Sequence, residues 1–164
     1  MRRVVVNSTP LIALSNIGQL ELLHALYGQI IIPQAVYDEV TVKQDSACSR
    51  IRSCLDWIQV QAIQNVDEKK MYRAKLHAGE VEVMILAQEE PSADLVIIDD
   101  NAAKKTAVYL GLTVTGTLGV LLKAKRMGLI GSIKPQLEKL QRIGFHISSS
   151  VLQYALEAAD EIEM

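Results

Sequence analysis

Short runs of β-branched and aliphatic residues alternate along this chain with longer stretches in which apolar side chains recur every three or four positions. The first run, Val4-Val5-Val6, meets Asn7-Ser8-Thr9-Pro10, a strand-to-helix turn in which Thr9 is the expected N-cap and Pro10 the first helical residue. Leu11, Ile12, Leu14 and Ile17 then keep helical spacing up to Gly18, and a second amphipathic segment from Leu20 to Leu26 stops at Gly28. Ile30-Ile31-Ile32 repeats the opening. It reads as a buried strand followed by Pro33 and a helix carrying Val36, Tyr37, Asp38, Glu39 and Val40, so the opening unit is β-α-α-β-α.

A helix is expected around Ser46 to Leu55. From Trp57 to Ile63 apolar and polar residues alternate, which suits a half-exposed or edge strand. Val66 to Leu76 is charged and reads as helical. Gly79 opens a helix whose Val83, Met84, Leu86 and Ala87 form a wide apolar stripe, with Pro91 closing it. Leu95-Val96-Ile97-Ile98 is the clearest buried strand, and it runs straight into Asp99-Asp100-Asn101 and a helix from Ala102 to Leu110. A short strand Thr113-Val114-Thr115 precedes Gly116, the N-cap candidate Thr117 and a helix to Met127. Helices over about Lys134 to Ile143 and Ser150 to Ile162 follow. Strands and helices alternating at this spacing predict one α/β domain over residues 1–164, a three-layer α/β/α architecture with a mainly parallel central sheet.

Composition narrows the function classes. The sequence is 49% hydrophobic, enough for a sizeable core in 164 residues, and no apolar run approaches the length of a membrane-spanning helix. The segment after Met1 is too short to serve as a secretory signal, so a cytoplasmic protein without membrane attachment is expected. Cys48 and Cys54 point to different sides of their helix and read as reduced core thiols, as that compartment requires. A formal net charge of −2 argues against a protein that coats nucleic acid over its whole surface. Between residues 101 and 143, however, Lys104, Lys105, Lys123, Lys125, Arg126, Lys134, Lys139 and Arg142 face the single acid Glu138, a local basic excess that a solvated helix face would equally produce.

The candidate chemistry follows from topology. In an open parallel sheet the ligand site lies beyond the carboxyl ends of the strands, where strand order reverses. That selects Asn7, Asp99 and Asp100, and Glu39 and Glu80 join them from the first turns of helices entering at the same edge. An oxygen-rich group of this kind suits Mg²⁺ or Mn²⁺, hard ions that serve phosphodiester hydrolysis. Each residue also has a plainer role: Asn7 as a turn former, Glu39 as a solvated helix residue, Glu80 as a helix-start acid, and Asp99 or Asp100 as a cap. The three histidines have no zinc-ligand spacing, no glycine loop of nucleotide-binding form is present, and no serine lies in a nucleophile-elbow motif.

Four ordered blocks carry a resemblance. Val4 to Leu14, Ile32 to Val40, Gly79-Glu80-Val81-Glu82 and Ile98 to Lys104, followed by Gly116 to Ile130, resemble the PIN-domain family, and within it the VapC-like toxin ribonucleases, from residue 4 to about 150. The resemblance implies a parallel sheet flanked by helices and a Mg²⁺- or Mn²⁺-dependent endoribonuclease acting on RNA. It further implies a cognate antitoxin protein and a homodimer. The family's acids fall on Asn7, Glu39, Glu80 and Asp100, with Asp99 beside the last, and its hydroxyl near the first acid on Thr9. Lys104 and Lys105 are the accompanying candidates for substrate contact. Asn7 departs from the pattern, since an amide oxygen can meet a hard cation but brings no charge. Two other functions stay open: a catalytically weak or inactive PIN module that binds RNA or a protein partner, and a phosphoacceptor domain. The second would put its acidic pair after the first strand, where this chain has Asn7-Ser8.

Overall fold

A computed structural model describes residues 3–71, 76–89 and 91–161. Five strands, β1 (Val4–Val6), β2 (Ile30–Pro33), β3 (Ile58–Gln61), β4 (Leu95–Ile97) and β5 (Val114–Thr115), form one sheet in the order β3-β2-β1-β4-β5, and every pairing is parallel. The helices among the described residues are α1 (Ser8–Asn16), α2 (Glu21–Tyr27), α3 (Gln34–Val42), α4 (Ser46–Arg52), α5 (Ala78–Gln88), α6 (Asn101–Tyr109), α7 (Thr117–Arg126), α8 (Lys134–Arg142) and α9 (Ser149–Ala158). Val66–Met71 winds as a 3-10 helix, so the charged segment expected to be helical is tighter than an α-helix there. Of the rest of that expectation, residues 72–75 lie outside the described residues and Leu76 is a bend; the helix expected to reach Ile162 instead ends at Ala158, where Ala159 caps it and Asp160 turns to positive φ.

Helices on both faces explain why the inner strands are unbroken apolar runs. All three residues of β1 and all three of β4 are buried, whereas in β3, at the sheet's edge, burial ends after Ile58. The alternation from Trp57 to Ile63 is thus the signature of an edge. α5 packs on β1, β2 and α3, and everything in it from Gly79 to Ala87 is buried, including Glu80 and Glu82. Glu82 is satisfied structurally: it accepts the Ala35 amide at 3.0 Å at the start of α3 and pairs with Lys69 at 3.0 Å. Cys48 and Cys54 are both buried and free, and burial pushes the Cys54 thiol up.

Two helix starts differ from the expected ones, for one reason. α1 begins at Ser8 with Asn7 as N-cap, because the extended conformation of β1 persists through Asn7 (φ −83°, ψ 170°) and its amide still donates to Ile97 O at 2.9 Å in the ladder with β4. Pro10 is therefore the third helical residue, tolerated because first-turn amides need no intrahelical partner. At α7 the N-cap is Gly116 and Thr117 is the first helical residue. A side chain from another strand end satisfies that helix start, which a local sequence pattern does not register.

The far end of the fold is closed by one carboxylate. Glu161 Oε2 accepts from Lys125 Nζ of α7 at 2.7 Å and from the Ile133 amide at 2.8 Å, while Oε1 accepts from the Lys134 amide at 3.1 Å and from the Ser132 hydroxyl. It therefore caps α8 from a distant part of the chain. Burial alone would raise its pKa, but these donors outweigh it and hold the carboxyl at about 2. A folded-state pKa below the unfolded one means stability that is present above the unfolded value near pH 4.5 and lost as pH falls toward 2. Glu161→Gln must turn an NH₂ toward two donors, and should cost about 2 kcal/mol at pH 7 once solvent screening is allowed for, a difference that shrinks between pH 4.5 and 2. Denaturant unfolding of both proteins at pH 7 and pH 3 measures it.

Candidate active site

Strand order reverses between β1 and β4, since β1 leads through α1 and α2 to β2 on one side while β4 continues through α6 to β5 on the other. The crevice at their carboxyl ends is bordered by Asn7 after β1 and by Asp99 and Asp100 after β4. Asn7 is buried, and its Oδ1 has no hydrogen-bond partner. An unmet buried acceptor is costly, so its surroundings identify what it is placed to meet.

Those surroundings come from α3 and α5. A Cβ placed on Gly79 would lie 3.0 Å from Glu39 Oε2 and 3.6 Å from Asn7 Oδ1, so both oxygens converge on the one position of α5 without a side chain. Glu39 is solvent-exposed along a hollow of about 310 Å³ shared with His77 and Gly79. Its Oε2 accepts from the buried Ser8 hydroxyl at 2.5 Å. The hydroxyl touching this group is thus that of Ser8, while Thr9, one residue on, is exposed. The spacing along α1 decides which of the two adjacent hydroxyls turns inward.

Glu80 is 6% exposed and accepts the His77 amide at 2.9 Å, which closes the first turn of α5. Its pKa is raised, chiefly by burial; the His77 amide opposes the rise, and the charges of Asp100 and then Glu39 add to it. Asp100 caps α6, its Oδ2 accepting the Ala103 amide at 2.9 Å. The site therefore gathers Asn7, Glu39, Glu80 and Asp100 from four parts of the chain, with one oxygen each of Glu39, Glu80 and Asp100 in a hydrogen bond to the protein. Among the described residues no three His, Cys, Asp or Glu side chains lie close enough to hold a metal by themselves. In donor type the set still fits a hard cation: all its donors are oxygens, one is orphaned and buried, and a buried acid feels two further acids.

Asp99 faces the other way. Its Oδ1 accepts the Thr117 amide at 2.8 Å and its Oδ2 the Thr117 hydroxyl at 2.6 Å, so this carboxylate anchors α7. Gly116 leaves room for it, because a Cβ there would come within 2.6 Å of Asp99 Oδ1 and 3.0 Å of Lys104 Nζ. Asp99 and Lys104 both line a second cleft, of about 360 Å³, against the neighbouring loop. Lys105 is exposed. The other basic residues of the 101 to 143 segment disperse: Lys125 is bound to Glu161, Lys123 lies 4.7 Å over the Tyr27 ring, and Lys139 and Arg142 border a hollow with Arg50 near the carboxyl end of α1. α1 runs back from the strand ends, so that hollow sits toward the opposite edge of the sheet.

A family model described as a PIN domain matches residues 3–161, nearly the whole chain. No curated protein matches the sequence.

Asp99 and Thr117 supply the first prediction about this site. Thr117→Val removes the hydroxyl donor from a carboxylate and should destabilise the fold by roughly 2 kcal/mol, whereas Thr117→Ser, which keeps the donor, should cost under about half of that. Urea unfolding midpoints of the three proteins decide it, and a larger loss for Ser, which lacks the methyl, than for Val, which lacks the hydroxyl, would show that methyl packing, not the hydrogen bond, fixes α7.

Proposed function

The chain belongs to the PIN-domain family, whose fold is of nuclease type, and on that premise we propose that it is a Mg²⁺- or Mn²⁺-dependent endoribonuclease, the toxin half of a toxin–antitoxin pair. One observation carries the reading: the orphaned Asn7 Oδ1 lies beside the Glu39 carboxylate over Gly79, in a group that includes the buried Glu80 and the exposed Asp100. In the proposal, Asn7, Glu39, Glu80 and Asp100 hold the cation. Once bound, such an ion supplies a water of lowered pKa and offsets charge on the phosphate. Ser8 orients Glu39, and the His77 amide orients Glu80. Asp99, fixed by Thr117, holds the turn that presents Asp100. Lys104 meets the phosphate backbone of the RNA, with Lys105 and Thr9 at the rim. A cytoplasmic setting and a homodimer complete the proposal, and no described helix is long and apolar enough to cross a membrane.

A second reading is favoured by Asn7 itself. An amide in place of an acid weakens the pull on a dication, which fits a module that binds RNA or a protein partner with little or no cleavage. Asn7→Asp separates the two. Without metal, an added carboxylate beside Glu39, Glu80 and Asp100 should raise the pKa of one of them and lower stability by about 1–2 kcal/mol. Mn²⁺ should reverse the loss by ligand linkage and increase cleavage of a mixed single-stranded RNA. Asp100→Asn should abolish metal-dependent cleavage. Thermal melts with and without Mn²⁺, alongside the cleavage assay, check all three; no metal-dependent shift and no cleavage in wild type or Asn7→Asp would leave the binding module.

Gly79→Ala gives an independent check. The helix favours Ala over Gly, but the new methyl meets Glu39 Oε2 at 3.0 Å and must push the carboxylate aside. Stability should change by under about 1 kcal/mol while Mn²⁺ affinity, read by calorimetry, falls about tenfold.

A further inference from the structure

The cleft shared by Asp99 and Lys104 is not used by the cation chemistry proposed above. Its walls come from the first turns of α6, α7 and α9 and from the loop joining α8 to α9. Phe145 and His146 are adjacent in that loop and both line the cleft. Phe145 is the single phenylalanine of a chain that is only 4% aromatic, and it sits half-buried here rather than in the sheet core. His146 is exposed. Gly119 of α7 also lines the cleft, and a Cβ there would overlap the Thr115 hydroxyl. Lys104 Nζ stands at the end nearest Asp99, and Asn101 adds an exposed amide.

We infer that this cleft is a nucleobase subsite, taking one unpaired base of single-stranded RNA with its phosphate directed along Lys104 toward Asp100. The inference rests on the ribonuclease reading for the identity of the strand, and deepens it by assigning where the nucleotide next to the scissile phosphate binds. Three features fit that occupant together. Phe145 and His146 offer ring surfaces on which a base can stack, the mode by which proteins hold single-stranded RNA. At about 360 Å³ the cleft is of small-ligand size. Its cation lies at the end that faces the Asp99-Asp100 turn, so a base seated against the rings leaves its phosphate between Lys104 and the carboxylates. A base held in a duplex must be unstacked and unpaired to enter, at a cost of about a few kcal/mol, so the site favours loops and unpaired strands.

The test uses the full chain and short single-stranded RNA in EDTA, so that binding is read by fluorescence anisotropy without cleavage. The probes are one oligomer and a set of its variants, each with a single abasic nucleotide. Wild type should lose about tenfold in affinity when one particular base is missing and little when the others are. His146→Ala and Phe145→Leu together should weaken binding of the intact oligomer by a similar factor and erase the difference between intact and abasic RNA. Because Phe145 packs against the core, His146→Ala alone, at an exposed position, is the second variant, and it should reduce the abasic penalty to about threefold without changing the melting temperature. Equal wild-type affinity for intact and abasic RNA, or an unchanged abasic penalty in the double variant, overturns the subsite. Mn²⁺-dependent cleavage by wild type is measured in parallel. Cleavage without any base dependence overturns the subsite and leaves the nuclease, whereas base-dependent binding without cleavage supports the subsite and removes the nuclease.

Discussion

Everything at the candidate site depends on β1 being hydrogen-bonded on both sides. Val5 pairs with Ile31 of β2 and with Val96 of β4, so the first strand lies at the middle of the sheet and the chain must leave it in both directions. Because the strands are parallel and buried on both faces, polar groups have no place along their length and gather at their ends. Asn7 and the Asp99-Asp100 pair are where two adjacent strands reach that limit. α5 then lies across β1 and β2 and brings Gly79 and Glu80 to the same edge, opposite Glu39 on α3.

Each polar member of this edge has a protein partner on one side, and this is what gives the group direction. Ser8, His77 and Ala103 donate to Glu39, Glu80 and Asp100, and Thr117 donates twice to Asp99. The exception is Asn7, whose acceptor is left unmet although it is buried. Burial is the main cause of the raised Glu80 pKa, and the charges of Asp100 and Glu39 add to it. The site is thus an arrangement of held but incompletely neutralised oxygens. Its electrostatic cost is offset by the apolar burial of α5 and the two central strands rather than by ion pairs within the site.

The strands and most helices were legible because their signals are local: unbroken β-branched runs for β1, β2 and β4, alternation for the edge strand β3, and glycine stops after α1 and α2. Strand-end placement likewise singled out Asn7, Asp99 and Asp100 as one edge. What the sequence could not show depends on contacts between distant segments. Ser8 rather than Thr9 meets Glu39 because of the rotation of α1, set by an N-cap at Asn7 that the ladder to β4 enforces. Thr117 looked like a cap and is instead a donor to Asp99, eighteen residues away. The cleft around Phe145 and His146 left no motif, since an aromatic pair in a loop has no period; the scarcity of aromatics elsewhere was the only available hint.

The clasp made by Glu161 carries a consequence for the order in which the molecule comes together during synthesis. Strands β1 to β5 and the helices between them all precede residue 120, so the sheet and the edge bearing the acids can form while later residues are still inside the ribosome. The start of α8 and the ammonium of Lys125 wait for a carboxylate that is made some thirty residues afterwards. Until it arrives, α8 lacks its distant cap. A nascent chain would thus carry an assembled acidic edge while the start of α8 still waits for the carboxylate that closes it.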